Sequence, residues 1–329
     1  MNQILDNPFP FSDTNKRYHT FSYAMKKQYG RKIAKIPLNA GFSCPNRDGT
    51  KGVGGCAFCS SAGSGDTILQ SRQSLQTQYQ ANLKRARKKW PECLGIAYFQ
   101  SFSNTYAPLE TLKKIYIPFF ASDEVCAISI ATRTDCFCEE TAAWLEEMQA
   151  KYHKEVWVEF GLQSIHPQTA KAMNFCHTPE DAKNAIALCQ RHHLRSVLHL
   201  INGLPGETRE MMLKTARFAS SLQPGALKIH MLHLLDNSRL GQSWLNKPFS
   251  LLGAQEYVSI VCDQLEVIDE HIIIERVTGD GLASDLLAPL WTRKKTQTAN
   301  DIDKELLRRN SWQGAKRPFP DPKFFSLAL

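Results

Sequence analysis

The amino-acid sequence predicts an α/β fold built on a parallel sheet. From about Arg31 onward, short apolar runs rich in β-branched residues alternate with stretches of helical periodicity. Near-continuous apolar runs are typical of parallel strands that are covered on both faces. Six strand–helix units in series favour a doubly wound sheet or a sheet curled into a partial barrel. The predicted strands are residues 32–38, 94–100, 125–131, 155–161, 196–202 and 226–233.

Helical patterns fill the intervals between these strands. Residues 75–90 and 139–152 each carry an apolar stripe at helical spacing. A third helix is predicted to begin at Pro179, because proline is favoured in the first helical turn.

The pattern changes after about Asp236. A helix near residues 254–268, a strand at 271–277 and a short helix near 301–309 are predicted there. We therefore divide the chain into an N-terminal lead (1–30), a core (31–240) and a C-terminal extension (241–329). The extension is smaller than a usual domain, so we expect it to pack on the core.

Composition narrows the class of protein. Of 329 residues, 43% are hydrophobic and 22% are charged, which supplies a full core and argues against disorder. The start lacks the apolar region of a signal peptide, and no apolar stretch approaches the length of a membrane span. We therefore read the ten cysteines as thiols of a cytoplasmic protein with no membrane partner. The net charge of +8 permits an anionic partner without requiring one.

Three cysteines follow the first predicted strand in an unusual pattern. Eleven residues separate Cys44 from Cys56, Cys59 completes a C-x-x-C pair, and the loop between them is rich in glycine. Loops at the carboxyl ends of parallel strands commonly build active sites. Three thiolates without a fourth ligand nearby favour a [4Fe–4S] cluster with one open iron, and a structural zinc ion is the alternative.

Several segments together resemble one enzyme superfamily. The cysteine loop is similar to the cluster loop of the radical S-adenosylmethionine (SAM) superfamily, although the usual spacing there is C-x-x-x-C-x-x-C. The longer loop resembles the branch that includes the elongator catalytic subunit, and the whole chain resembles the YhcC/YtqA-like radical SAM proteins. The matching stretches are residues 16–18, 41–50, 98–105, 132–135, 158–164, 199–207, 278–281 and 288–291.

The resemblance implies a fold and a chemistry. The fold is a partial (β/α)6 TIM-like barrel with a small C-terminal α/β extension. In the superfamily, SAM chelates the free iron of a [4Fe–4S] cluster, and one electron cleaves it to a 5′-deoxyadenosyl radical. Cys44, Cys56 and Cys59 match the cluster ligands. The resemblance also implies an electron donor such as flavodoxin or ferredoxin.

Candidate SAM contacts follow from the same resemblance. Phe58 matches the aromatic residue that packs near adenine. Gln100 and Ser101 stand where the superfamily usually has a Gly-Gly-Glu-like turn that binds the SAM amine. This chain has no glycine there, so we expect polar side chains to replace backbone contacts. Arg133 follows the third strand and offers a guanidinium fork.

The fourth and fifth strands supply the remaining candidates. Glu159 and Gln163 flank the end of the fourth strand, where the superfamily contacts the ribose and methionyl group. A glutamate inside an apolar strand is unfavourable unless it is paired, which also favours a functional role. Ile201 and Gly203 match the motif whose backbone holds adenine. His230 and His233, on the sixth strand, are further candidates for the reaction chamber.

The sequence is compatible with two classes of substrate. RNA is suggested by the elongator-like loop and by basic residues in two places, the predicted helix at 84–89 and the tail residues Arg308, Arg309, Lys316 and Arg317. A protein or a small metabolite is the other class. The alternative to an enzyme is a zinc-binding, non-catalytic protein that interacts with nucleic acid.

Overall fold

The computed structural model describes residues 7–60, 63, 73–279 and 284–317. Asp280 and Gly281 of one matching stretch therefore lie outside the described residues, as do 1–6 of the lead and 318–329 of the extension. The strands are β1 (Ile33–Leu38), β2 (Leu94–Phe99), β3 (Val125–Thr132), β4 (Glu155–Gln163), β5 (Arg195–Asn202), β6 (Ala226–Met231), β7 (Leu234–Leu235), β8 (Ile273–Arg276) and β9 (Leu286–Ala288).

Helices follow most of the strands. They are α1 (Phe21–Tyr29), α2 (Leu75–Lys89), α3 (Leu109–Phe120), α4 (Glu139–Tyr152), α5 (Pro167–Met173), α6 (Pro179–Arg191), α7 (Arg209–Ser221), α8 (Arg239–Asn246), α9 (Ala254–Val267) and α10 (Lys295–Arg308). None of these described helices combines the length and the apolar character needed to cross a bilayer.

Seven strands form one parallel sheet in the order β1-β2-β3-β4-β5-β6-β8. The sheet is curled into a half-barrel, so the predicted fold class is confirmed. The strand predicted at 271–277 was assigned to the C-terminal extension. It instead pairs in parallel with β6 and is the seventh strand of the barrel. Helix α9 is the crossover that makes this pairing possible. The division of the chain at residue 240 stays a prediction.

The outer core lies between the sheet and the helices. Alternate residues of the strands, such as Ile36, Ile128, Val158, Leu198 and Ile229, are buried there in one continuous apolar cluster. This burial on the outer face explains why the strands read as apolar runs in the sequence.

The amino end of the barrel is closed by α1. Thr20 caps the start of the helix, because its side chain accepts a hydrogen bond from the Tyr23 amide. Met25 is 1% exposed, and the Phe21 ring contacts Trp157 edge-on at 5.8 Å. They pack in one apolar cluster with an inward-facing residue from every strand in the sheet, namely Ile33, Ile96, Ala127, Trp157, Val197, Ala226 and Ile273. Helix α1 is therefore a plug, although no pattern in the sequence of the lead predicts one.

A polar layer lies above this plug. Two residues further along each strand, the inward positions become Lys35, Tyr98, Ser129, Glu159, His199, Lys228 and Glu275. We call these seven residues the polar belt. Because strand side chains alternate between faces, the belt occupies the interior of the barrel, directly below its carboxyl end.

Candidate active site

The cysteine loop leaves the carboxyl end of β1 and folds back on itself. The amides of Arg47 and Asp48 donate to the Cys44 carbonyl at 2.7 and 3.2 Å, and the Cys59 amide donates to the Cys56 carbonyl at 3.0 Å. Gly55, just before Cys56, has a φ of 72°, and a Cβ there would lie 2.8 Å from the Arg47 side chain. Glycine therefore permits the reversal that brings the C-x-x-C pair back toward Cys44.

The three cysteines line one cavity as free thiols. Burial, followed by the neighbouring thiol of Cys59, raises the pKa of Cys56 to about 12. The charge of Arg133 and a hydrogen bond from Asn46 Nδ2 at 3.5 Å act in the opposite direction. Thiols that disfavour their own ionisation need a cationic centre to hold them as thiolates. This set of donors fits a metal cluster.

The cavity opens at the carboxyl end of the barrel and encloses about 270 Å³. Nine of the eleven predicted site residues line it, namely Cys44, Cys56, Phe58, Cys59, Gln100, Arg133, Glu159, Gln163 and Ile201. Ser101 and Gly203 are not among the lining residues. Gly203 has a φ of 89° in the turn after β5, and a Cβ there would lie 3.1 Å from Leu252. The structure thus gives Gly203 a role in the turn.

The turn after β2 keeps a glycine-like backbone without a glycine. Ser101 and Phe102 have φ values of 79° and 61°. Residues with a Cβ rarely adopt these angles, and such strain is concentrated at functional sites. The Ser101 hydroxyl is buried and has no hydrogen-bond partner among the described residues.

Arg133 joins three loops around the cysteines. Its Nε and Nη2 donate to the two carboxylate oxygens of Asp135 at 2.8 and 2.9 Å. Its Nη1 donates to the Phe175 carbonyl at 2.9 Å, and Nη2 to that of Cys176 at 3.1 Å. Lys51 of the cysteine loop also donates to Asp135 at 2.7 Å. Most donors of Arg133 are therefore engaged by protein, while its charge acts on Cys44 and Cys56.

Glu159 lies at the centre of the polar belt. One carboxylate oxygen accepts from Lys35 and Ser129, each at 2.5 Å. The other accepts from Lys228 and from His199 Nε2, the latter at 2.8 Å. Burial alone would raise the pKa of Glu159, but the charges of Lys228 and Lys35 outweigh it and hold the pKa well below its usual range.

Two further predicted residues shape the wall next to the belt. The Gln163 side chain folds back over Gly161, where a Cβ would lie 2.1 Å from its amide. When the side-chain amide is oriented so that both its oxygen and its nitrogen have suitable hydrogen-bond partners, Gln163 donates to His177 Nε2 at 3.3 Å. The Phe58 ring contacts the buried Phe175 edge-on at 5.9 Å. Both residues therefore present a fixed surface to the cavity.

Sequence reasoning missed several residues that line the cavity. Tyr98, Lys228 and Arg276 face it from β2, β6 and β8. A signal was present for Lys228, which is a charged residue inside a mostly apolar strand. Arg276 was not predicted as a cavity residue, because its strand was assigned to the C-terminal extension.

Comparison with known proteins agrees with this architecture. The Radical SAM superfamily profile matches residues 44–219, and the Radical_SAM C-terminal domain profile matches 224–308. Bacillus subtilis YtqA is 41% identical over 309 residues, which cover 94% of this chain and 95% of YtqA. Escherichia coli YhcC is 30% identical over 310 residues, which cover 93% of this chain and 98% of YhcC.

A solved structure shares the fold. The archaeal Methanocaldococcus infernus Elp3, with an N-terminal deletion, superposes with a TM-score of 0.63 at 16% identity, covering 85% of this chain and 64% of that chain. At this identity the likeness concerns the fold alone. Together with the two family profiles and the relatives that match almost end to end, it shows that this chain is a member of the radical SAM enzyme superfamily.

Proposed function

We propose that this chain holds a [4Fe–4S] cluster on Cys44, Cys56 and Cys59 and binds SAM against it. When bound, the pair supplies a 5′-deoxyadenosyl radical that abstracts hydrogen from a substrate. The observation that carries the proposal is the convergence of three free thiols and six predicted SAM contacts on one cavity.

The residues around the thiols support cluster binding. Asn46 donates to Cys56 Sγ, and Arg133 places a positive charge near Cys44 and Cys56. Both interactions stabilise negative charge on sulfur. Asp135 fixes the Arg133 side chain, so this charge is held in place.

The other lining residues suit the organic part of SAM. The Phe58 ring offers a face to adenine, and Ile201 offers an apolar contact together with its backbone. Gln100 and Gln163 offer amides to ribose hydroxyls or to the methionyl group. We also propose Ser101, Arg133, Glu159 and Gly203 as residues that contact SAM. An electron donor such as flavodoxin or ferredoxin would reduce the cluster.

Anaerobic reconstitution tests the proposal. The full chain, treated with iron and sulfide, is expected to turn brown, to bind about four irons, and to form 5′-deoxyadenosine with SAM and dithionite. The Cys44→Ala, Cys56→Ala and Cys59→Ala variants should lose both properties. Cys189→Ala, in the buried core, is the matched control and should keep them. A colourless protein with one zinc ion would overturn the proposal and support the non-catalytic alternative.

RNA as the substrate stays a prediction. The described tail cations are paired with acids, since Arg309 contacts Asp263 and Glu305 at 2.7 Å, and Lys316 contacts Glu266 at 2.5 Å. The basic end of α2 lies at the amino end of the sheet, where the Leu94 amide donates to the Lys32 carbonyl. The cavity opens at the other end. Filter binding of total RNA at two salt concentrations tests this class, and affinity that is insensitive to salt would count against it.

A further inference from the structure

We propose that the end of α2 and the start of β1 form a surface that binds the sugar–phosphate backbone of a nucleic acid. Trp90 and five cations make up this basic surface, and the cations are Lys32, Lys84, Arg85, Lys88 and Lys89. The surface lies away from the cavity that the cysteines line. The inference therefore goes beyond the proposed function and does not depend on a cluster.

The cations of the basic surface have no acidic partner. The four on α2 are exposed, and none of the five forms an ion pair with a residue that the structure describes. Glu92, the nearest acid along the chain, is exposed and does not pair with them. Glu124 is instead engaged by Arg87 at 3.7 Å and by Gln80. The charge of this surface is therefore not compensated by the described protein.

The basic tail differs in this respect. Each of its described cations is paired with an acid, namely Arg308 with Glu305, Arg309 with Asp263, Lys316 with Glu266 and Arg317 with Asp269. Of the two basic segments that the sequence suggests for RNA, only the one on α2 thus keeps its charge available to a partner.

Like charges are held close together on the basic surface. Lys84 and Lys88, and likewise Arg85 and Lys89, are four residues apart on one helix, where like charges destabilise each other. The helix dipole favours cations in the last turn, but its effect has faded at Lys84 and Arg85. Burial, then the charge of Lys89, lowers the pKa of Lys32. An anion that joins these cations would relieve their repulsion.

Trp90 orders two of these cations. The Nζ atoms of Lys32 and Lys89 lie 5.0 and 4.7 Å from the centroid of its ring, within the range of a cation–π contact. Lys32 Nζ also donates to Ser22 Oγ at 3.1 Å. The backbone of Trp90 is itself fixed, since its amide donates to the Ala86 carbonyl at 2.9 Å. Side chains that are ordered in advance lose less conformational entropy on binding.

The composition of the surface favours a nucleic acid over a protein or a membrane. Protein interfaces are depleted in lysine and have an apolar centre, whereas nucleic-acid interfaces are strongly positive and polar. The large apolar side chains that the described chain exposes lie elsewhere, namely Val53, Ile117, Leu245, Leu290 and Leu307. The basic surface therefore offers no apolar group to a protein partner or to a lipid layer.

The location separates this binding from the cavity. The Leu94 amide donates to the Lys32 carbonyl at the amino end of the sheet, and the cavity opens at the carboxyl end. The six residues of β1 span about 20 Å between the two ends. A nucleic acid held on the basic surface should therefore leave SAM binding unchanged.

Fluorescence anisotropy on the full chain tests the surface. The probes are labelled RNA and DNA duplexes of one sequence and about 20 base pairs, titrated between about 50 and 200 mM salt. Both should bind, because the protein contacts phosphates. The double variant Lys88→Glu/Lys89→Glu should bind at least about tenfold more weakly, with a salt slope that is smaller by about 2. Lys88→Arg/Lys89→Arg, which keeps the charges, should bind as the wild type does.

A matched control separates location from net charge. Lys151 and Lys214 are exposed on α4 and α7, so Lys151→Glu/Lys214→Glu changes the net charge equally at another place. This variant should lose less than about threefold in affinity. Unchanged urea midpoints verify that all variants fold. Trp90→Leu should weaken binding several-fold, because Lys32 and Lys89 lose the ring that orders them.

Three results would overturn the inference. They are the absence of salt-sensitive binding to either duplex, equal loss of affinity in the Lys88/Lys89 and Lys151/Lys214 glutamate variants, and binding through Lys88 and Lys89 to phosphatidylserine vesicles but to neither duplex. Binding is measured with and without a reconstituted cluster. The Lys88→Glu/Lys89→Glu variant should form 5′-deoxyadenosine as the wild type does, so failure of this inference is distinguishable from failure of the proposed function.

Discussion

At the scale of a residue, Glu159 joins strands that are far apart in the sequence. Its carboxylate pairs with Lys35 of β1 and Lys228 of β6, as a carboxylate inside an apolar strand requires. Its partners could not be predicted, because Lys35 and Lys228 come from other strands, 124 and 69 residues away. Only the curvature of the sheet brings these strands together. The metal site formed by the three cysteines could be predicted, because their spacing along the sequence is itself typical of metal ligands.

Ser101 provides a prediction about strain. Ser101→Gly should stabilise the protein by about 1 kcal/mol relative to Ser101→Ala, because glycine adopts a φ of 79° without the Cβ penalty. Urea denaturation of the two variants measures the difference. If the hydroxyl contacts SAM, both variants should also bind SAM several-fold more weakly than the wild type. Equal stability of the two variants would show that the turn is not strained.

Asp135 provides a prediction about pH. Burial alone would raise its pKa, but hydrogen bonds from Arg133 and Lys51 outweigh burial and lower the pKa to about 2. A carboxylate whose pKa is lowered by folding stabilises the protein above its unfolded pKa, and this stability is lost as the pH falls toward the folded pKa.

Asp135→Asn should therefore reduce the loss of stability between about pH 4 and pH 2. The urea midpoint of the cluster-free protein, measured across this range, tests the effect. Asp236→Asn, at an exposed site, is the control and should keep the wild-type slope. An unchanged slope in Asp135→Asn would contradict the ion pairs described around Asp135.

At the scale of the elements, the strands were predictable and the plug was not. Continuous apolar runs placed all six core strands within about three residues of their observed bounds. Helix α1 was missed, although Thr20 and Gly30 supply ordinary capping residues. Its apolar side is short, and its burial depends on strands far along the chain. The tail helix was predicted too short, since α10 begins at Lys295.

The plug gives a prediction at this scale. Met25→Ala should destabilise the protein by about 3 kcal/mol, because Met25 fills the closed end of the barrel. Gln28→Ala, on the exposed side of the same helix, should change stability by less than about 0.5 kcal/mol. Urea midpoints compare the two variants. Similar small effects in both would show that α1 does not close the barrel.

The whole molecule is an open barrel whose two edge strands are joined by side chains. In the sheet order, β1 and β8 are the edges and do not pair with each other. Lys35 of β1 and Glu275 of β8 nevertheless form an ion pair at 2.5 Å, with 12% and 4% of their side chains exposed. This pair bridges the gap that backbone hydrogen bonds leave open.

A double-mutant cycle tests this bridge. Lys35→Met and Glu275→Leu should each destabilise the protein, and the double variant should recover at least about 1 kcal/mol of the summed loss. The exposed pair Lys183–Glu180 is the control, with an expected coupling below about 1 kcal/mol. Additive losses in the Lys35–Glu275 cycle would show that the two edges are independent.

The fold class of the whole molecule could be predicted from the sequence, but the seventh strand that completes the curled sheet could not. Six repeated units indicated a parallel sheet, and the resemblance indicated its curl. The seventh strand was assigned to the extension, because a lone strand after a helix does not reveal its partner. The place of Arg276 in the cavity wall was missed for the same reason.

The plug also has a consequence for the order of synthesis. The segment around Thr20 is held by residues that the ribosome adds much later, since the Ile274 amide donates to the His19 carbonyl at 2.7 Å and the Gln313 amide to the Arg17 carbonyl at 2.9 Å. A nascent chain therefore carries the apolar side of α1 without its β8 contacts until β8 has been made. Premature termination before β8 would leave that surface without its final partner, and such fragments should be prone to aggregation and recognised by chaperones.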